Sequence, residues 1–188
     1  MPLRYNLSRQ LERFRNGDQD AFRFFVDHYR LRIFYFLLQK VCIRQLAQDL
    51  MERTFLLLFA NRSSIPTVKH LRGFLYYTAS ECGDLHLMGR SCIEEGNFEM
   101  PDSRELLAVL DEFDVILNEA DVEFYKYVEK LSPEPKIVVE MRFFIYMDIS
   151  TITAERGIDH KTVEKYISKA HRWRRNHPGG GWSYLISG

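Results

Sequence analysis

Residues 148–175 contain the sequence feature that most restricts the fold: two short helical patterns separated by a tight turn. Asp148 and Asp159 each precede one pattern, and a short acidic side chain suits the capping position at a helix N-terminus. Gly157 lies between the patterns, where the chain needs a residue with positive φ. The apolar residues of the second pattern recur at i, i+3, i+4 and i+7, namely Val163, Tyr166, Ile167 and Ala170. These signals together predict a helix-turn-helix.

The polar face of the second helix carries the candidate DNA-binding residues. They are His160, Lys161, Thr162, Glu164, Lys165, Ser168, Lys169 and Arg172. A helix-turn-helix places the N-terminal turns of its second helix in the major groove, so His160, Lys161 and Glu164 are expected near base edges. The basic residues Lys161, Lys165, Lys169 and Arg172 are expected at phosphates. The alternative is an ordinary amphipathic helix with a solvated polar face.

The rest of the chain also predicts helices, because no stretch alternates between apolar and polar residues with a period of two. Helical patterns begin at Leu7, near Ala21, near Ile43 and at about Val68, and later at Ile116 and Ile137. The fold class expected is all-α, with two small helical domains.

Charge is segregated along a chain whose net charge is zero. Residues 1–90 carry 14 Lys and Arg against 8 Asp and Glu, a net charge of +6. Residues 91–124 carry 1 against 11, a net charge of −10, and residues 125–188 carry 11 against 7, a net charge of +4. Two basic blocks around an acidic tract favour two modules that face polyanions, although plain solvated surfaces would give the same pattern. We expect domains at 1–90 and 113–176, an acidic linker at 91–112 and a tail at 177–188.

Several classes of protein lack support in the sequence. The three cysteines form no CxxC pair and are expected to be reduced and mostly buried, and no HExxH or phosphate-binding glycine loop is present. We therefore expect no enzyme activity, no catalytic residue, no metal site, no cofactor and no small-molecule substrate. No apolar run is long enough to span a membrane, and residues 1–10 do not resemble a signal peptide. A cytoplasmic protein without membrane insertion is expected.

The order of four motifs resembles one known family. Asn16-Gly17-Asp18-Gln19-Asp20-Ala21-Phe22 is similar to the opening of its region 2, and Ala47-Gln48-Asp49-Leu50 with Thr54-Phe55 is similar to its region 2.2. Phe74-Leu75-Tyr76 with Ala79 is similar to its minus-ten helix, and Leu131-Ser132-Pro133 with Gly157 to Lys165 is similar to its region 4. The family is that of the extracytoplasmic-function (ECF) type sigma factors of bacterial RNA polymerase, and the resemblance covers roughly residues 16–176.

The resemblance implies a transcription initiation factor that joins core RNA polymerase and directs it to promoter DNA. It implies that region 4 reads the minus-thirty-five element and that region 2 engages the minus-ten element through Arg72, Phe74, Tyr76 and Tyr77. It also implies that Asp49, Glu52 and Arg53 contact the polymerase, and that an anti-sigma factor is a further partner.

The sequence departs from the family pattern at several points, among them Glu52, Thr153 and Arg156. Arg53 stands where the family usually has an acid, and Glu81 and Asp84 stand near the end of the minus-ten helix, where acids would repel phosphates. Two alternatives therefore stay open. One is a helix-turn-helix regulator whose helical sensor module never joins polymerase, and the other is a sigma-like protein without promoter-melting activity.

Overall fold

The computed structural model describes residues 7–90, 99–113 and 119–177, and within them the chain is entirely helical. The helices are α1 (Leu7–Arg15), α2 (Gln19–Val41), α3 (Arg44–Ala60), α4 (Val68–Leu87), α5 (Ser103–Phe113), α6 (Glu119–Glu129), α7 (Pro133–Phe143), α8 (Ile149–Arg156) and α9 (His160–Asn176). A short 3-10 turn, Arg62–Ser64, lies between α3 and α4. The predicted all-α class is confirmed.

The chain divides into two compact units, Met1–Asp114 and Val115–Gly188. In the first unit, α2, α3 and α4 pack against one another, α1 packs on α2, and α5 packs on α4. In the second unit, α7 and α8 both pack on α9, and α6 packs on α7. The division of the chain into two sigma-type domains remains a prediction.

Local signals set most helix boundaries. The side chain of Asp18 accepts hydrogen bonds from the backbone amides of Asp20 and Ala21, which caps α2, and Thr67 caps α4 in the same way. α2 ends at Cys42, which has a left-handed φ of 56°. α7 begins at Pro133, four residues before the predicted start near Ile137, because proline fits the first turn of a helix, where no backbone donor is needed.

Each unit buries its own aromatic and aliphatic residues. The core of the first unit includes Phe25, Tyr35, Leu57 and Phe74, whose side chains are fully buried. The core of the second unit is built around Phe124, Tyr125 and Phe144 on α6 and at the end of α7. Burial of such large apolar side chains is the main driving force for folding of each unit.

The structure corrects the predicted linker. Residues 103–113, which the composition placed in a linker at 91–112, form the helix α5, and its Leu106 and Leu110 are buried against the first unit. Residues 91–98 and the predicted tail from residue 178 onward lie outside the described residues, as do residues 114–118.

The cysteines also differ from the expectation of reduced, mostly buried thiols. Cys82 is buried but disulfide-bonded, and Cys42 is a free thiol that is exposed at the C-terminal end of α2. Cys92 lies outside the described residues.

Candidate nucleic-acid interface

The turn between α8 and α9 has the geometry that the sequence predicted. Gly157 ends α8 with a φ of 63°, and its amide donates to the carbonyl of Thr153. Asp148 caps α8 by accepting from the amide of Thr151 at 2.9 Å, and Asp159 caps α9 by accepting from the amide of Thr162 at 3.0 Å. The Asp148 cap, the left-handed Gly157 and the Asp159 cap thus set the start of α8, its end and the start of α9.

Both capping carboxylates are held in their ionised form. The hydroxyl and the amide of Thr162 donate to Asp159 and hold the pKa of its carboxyl below the usual range. The amide and then the hydroxyl of Thr151 lower the pKa of Asp148 in the same way. Thr162 is half-buried and engaged in the cap of α9. Thr162, which the sequence placed among the DNA-binding residues, therefore serves to position the helix.

The remaining predicted residues of α9 are exposed. They are His160, Lys161, Glu164, Lys165, Ser168, Lys169 and Arg172. On the opposite side Val163, Ile167 and Ala170 are buried, and Tyr166 is half-buried with its hydroxyl 3.5 Å from the Glu134 carboxylate on α7. The predicted division of α9 into a buried and an outward face is confirmed.

Within the outward face, His160 and Glu164 lie close together. The Nδ1 atom of His160 is 3.5 Å from a carboxylate oxygen of Glu164, one turn later, and both side chains are about half-exposed. The negative charge of Glu164 lowers the positive potential around His160. The positive charge available to phosphates is therefore concentrated at Lys161 and at the later positions Lys165, Lys169 and Arg172.

An aromatic stack that the sequence did not reveal anchors the C-terminal end of α9. The Trp173 ring stacks on Tyr127 of α6, with centroids 4.8 Å apart, and on His177, with centroids 4.0 Å apart. The Arg174 guanidinium lies over the rings of Phe124 and Phe143, at about 5 Å from each centroid. Arg174 thus packs on the buried aromatic rings, whereas Arg172 is exposed.

In the first unit, α4 carries the four residues expected at the minus-ten strand, and these residues differ in how deeply they are buried. Phe74 is fully buried, and Tyr76 is 3% exposed with its ring in edge contact with Phe36 at 5.6 Å. A buried ring cannot stack on a base unless the helix repacks, so Phe74 and Tyr76 are core residues in this arrangement. Tyr77 is only partly buried and is the accessible ring of the three.

Arg72 of α4 is half-buried, and its charge acts on Tyr29 of α2. Burial raises the pKa of the Tyr29 hydroxyl on α2, and the positive charges of Arg32 and Arg72 partly offset that rise. The charges of Arg32 on α2 and Arg72 on α4 thus act on the same hydroxyl. Arg32 was not among the predicted residues, because only the packing of α2 against α4 shows that it acts together with Arg72 on Tyr29.

The two acids that depart from the family pattern have different surroundings. The carboxylate of Asp84 forms an ion pair of 2.8 Å with Lys40, so its charge is largely compensated. Glu81 instead lies close enough to Tyr77 to raise the pKa of that hydroxyl. The expected repulsion of phosphates thus applies to Glu81 more than to Asp84.

On α3, the predicted polymerase-binding residues form an exposed polar strip with one apolar residue beside it. Asp49 accepts a hydrogen bond from Gln45 at 2.9 Å, and Glu52 accepts one from Gln48 at 3.2 Å. Asp49 and Glu52 are exposed, and Arg53 is half-exposed. Leu56, one turn beyond Glu52, is 52% exposed, and sequence reasoning missed it because its neighbours Phe55, Leu57 and Leu58 are buried.

No protein-family model and no curated protein matches this chain. Among the described residues, no group of three or more His, Cys, Asp or Glu side chains is placed to hold a metal ion. None of the helices in the described ranges combines the length and the apolar character that crossing a membrane requires.

Proposed function

We propose that this chain is a transcription initiation factor of the ECF sigma type, which binds core RNA polymerase and directs it to specific promoters. In this proposal α9 reads the minus-thirty-five element, α4 engages the minus-ten element, and the exposed face of α3 contacts the polymerase. The protein supplies binding energy and orientation and performs no covalent chemistry. It acts in the cytoplasm, and an anti-sigma factor is the partner that would hold it inactive.

The observation that carries the proposal is the outward face of α9. Lys161, Lys165, Lys169 and Arg172 are all exposed on one helix, and its N-terminal turn is fixed by the Asp159 cap after a left-handed glycine. An exposed basic face on the second helix of such a motif suits insertion into the major groove, with the cations at phosphates. His160 and Glu164 at the first turns are the residues placed to approach base edges.

The exposed face of α3 supports the polymerase contact. Asp49, Glu52 and Leu56 lie at i, i+3 and i+7, which places them along one side of the helix. Two exposed acids and an exposed leucine on one helix face can supply the polar and apolar contacts of a protein interface. The α3 face therefore offers a contact that a DNA-binding regulator acting alone would not need.

A second candidate function is a sigma-like protein that binds polymerase and duplex DNA but does not melt promoters. The burial of Phe74 and Tyr76 favours it, because only Tyr77 remains accessible as a stacking platform on α4. The two candidates share the α3 and α9 contacts and differ only in what α4 does.

Binding to core RNA polymerase separates both candidates from a helix-turn-helix regulator that never joins polymerase. The full chain should co-migrate with purified core enzyme on gel filtration. Leu56→Ser combined with Asp49→Ala should weaken binding at least about tenfold, because an interface depends on a few anchor residues. Asp27→Asn, a change at an exposed acid on α2, is the matched control and should leave binding unchanged. A chain that binds duplex DNA but never core enzyme would instead be such a regulator.

A further inference from the structure

The helix α5 packs against α4 at a position where no side chain would fit. A Cβ atom added to Gly73, in the middle of α4, would lie 2.2 Å from the backbone carbonyl oxygen of Leu106 and 2.9 Å from its carbonyl carbon. Contacts this short to backbone atoms cannot be relieved by a side-chain rotation. Gly73 is therefore the residue that lets the backbone of α5 approach α4 so closely.

α5 is a well-formed helix with its own cap. The Asp102 carboxylate accepts from the amides of Arg104 and Glu105, at 2.7 and 2.9 Å, while the Glu105 carboxylate accepts from the amide of Asp102 at 2.8 Å. This reciprocal pair is a capping box. Leu106 and Leu110, one turn apart, are each 1% exposed and attach the helix to the first unit. The helix comes from the most acidic part of the chain.

The face of α4 that α5 approaches is also the face of Tyr77. Gly73, Tyr77 and Glu81 lie at i, i+4 and i+8 on α4, and we call them the Tyr77 face. Burial raises the pKa of the Tyr77 hydroxyl, and the negative charges of Glu81 and Glu105 raise it further. The partly buried ring of Tyr77 thus lies on the side of α4 that α5 approaches, and its hydroxyl is influenced by carboxylates of both helices.

We propose that α5 is a detachable acidic cover on the Tyr77 face, and that α5 and single-stranded DNA compete for this face. The inference rests on the proposed function, because it takes single-stranded DNA as the ligand of α4. A strand that stacks on Tyr77 needs the space that α5 occupies, and its phosphates are repelled by Glu105 while α5 is docked. Engagement of α4 by the strand therefore requires α5 to leave.

Gly73→Ala tests this competition from the α4 side. Alanine favours a helix more than glycine does, so α4 itself should stay intact while the added methyl group displaces α5. Leu106→Ser tests it from the α5 side by removing an apolar anchor. Hydrogen exchange at the amides of residues 106–110 should become faster in both variants of the full chain. Anisotropy with a labelled single strand of about 12 nucleotides should show about tenfold tighter binding, because the cover lowers the fraction of binding-competent molecules.

Glu105→Gln keeps the apolar packing and the capping geometry and removes only the charge. It should tighten single-strand binding about twofold, whereas Asp27→Asn, which removes one exposed acid on α2, should not. This pair stays informative even if a packing variant fails to fold.

Three results would contradict the proposal that α5 covers the Tyr77 face. They are unchanged exchange in both packing variants, faster exchange without tighter DNA binding, and equal effects of Glu105→Gln and Asp27→Asn. Binding of the wild-type chain to core polymerase is measured in parallel. If the wild-type chain binds polymerase and the competition is absent, only the proposed role of α5 is refuted. If the wild-type chain does not bind polymerase, the proposed function itself is refuted.

Discussion

The Nζ atom of Lys40 lies 2.8 Å from Oδ2 of Asp84 and 2.9 Å from Oγ of Ser80, so one lysine joins the end of α2 to the last turns of α4. The stem of the same lysine runs along α4 at Gly83, where a Cβ atom would lie 2.8 Å from its Cδ atom. Asp84 and Gly83, which look unfavourable in a DNA-binding helix, therefore both serve the contact between α2 and α4.

The Lys40–Asp84 pair should contribute measurably to stability because both groups are partly shielded, with side-chain exposures of 22% and 45%. Lys40→Met should lower the free energy of unfolding by about 1 kcal/mol, as expected for a partly exposed ion pair with an added hydroxyl contact. Urea denaturation of the full chain, followed by circular dichroism, measures this change.

The control is Arg23→Ala, which removes the 3.4 Å pair with Asp20, whose members are 72% and 78% exposed. It should change stability by less than about 0.5 kcal/mol. A double-mutant cycle with Asp84→Asn should show coupling at Lys40. Additive effects of the two substitutions would mean that the pair contributes nothing.

Gly157 should tolerate asparagine better than alanine. Its φ of 63° is left-handed, and a Cβ atom there would meet nothing within 4 Å, so the cost of a substitution comes from the backbone alone. Gly157→Ala should lower the stability of the second unit by about 1 kcal/mol, and Gly157→Asn by less, because asparagine adopts this conformation more readily. Urea denaturation followed by tryptophan fluorescence measures both, because Trp173 packs in this unit and residues 1–114 contain no tryptophan. Equal losses would contradict the backbone explanation.

Lys165 should contact a phosphate of duplex DNA. Lys165→Ala should weaken binding to all duplexes and reduce the slope of log K against log salt by about one, the amount expected for one lost phosphate contact. Lys126→Ala removes one exposed positive charge that lies on α6 and not on the outward face of α9, and that pairs with Glu123 at 2.7 Å. Its slope should match that of the wild type. An unchanged slope for Lys165→Ala would remove this residue from the interface.

The second unit should lose stability when the solution is mildly acidified. Partial burial lowers the pKa of His171, and the charges of Arg174, Arg142 and Arg175 lower it further. The unfolded chain therefore binds this proton more readily than the folded chain does. The contribution to stability is complete above about pH 6.5, the ordinary value for histidine, and is lost as the pH falls through the lower folded pKa.

Urea denaturation followed by tryptophan fluorescence measures this effect between about pH 5 and about pH 7.5, a range that brackets the ordinary histidine pKa. The free energy of unfolding should depend less on pH in His171→Gln than in the wild type. The control is His86→Gln in the first unit, where His86 is exposed. If His171→Gln leaves the pH dependence unchanged, the ring does not titrate differently in the folded state.

The helix-turn-helix could be predicted from the sequence because its determinants are local. Asp148, Gly157 and Asp159 act on residues within one turn of themselves, and the apolar spacing of α9 gives its buried face directly. Which rings of α4 are buried was harder to predict from the sequence, because Phe74, Tyr76 and Tyr77 are almost adjacent. Only the packing of α2 against α4 decides which ring is covered.

The contacts that the sequence did not reveal all join distant segments. The helix α5 was not predicted because its segment is acidic, and its packing against α4 depends on the absence of a side chain at Gly73. The stack of Trp173 on Tyr127 joins α9 to α6, and no periodic pattern within either helix indicates that contact. Pairings of this kind depend on tertiary structure, which single-segment patterns do not contain.

Transcription from purified components tests the central proposal most directly. Core RNA polymerase from the source organism, supplied with this chain and fragmented genomic DNA, should produce transcripts whose 5′ ends lie downstream of one shared pair of sequence elements. Lys165→Ala should reduce these transcripts without moving their start sites. Transcripts identical to those of core enzyme alone, despite stable binding of the chain to polymerase, would contradict a role in promoter selection.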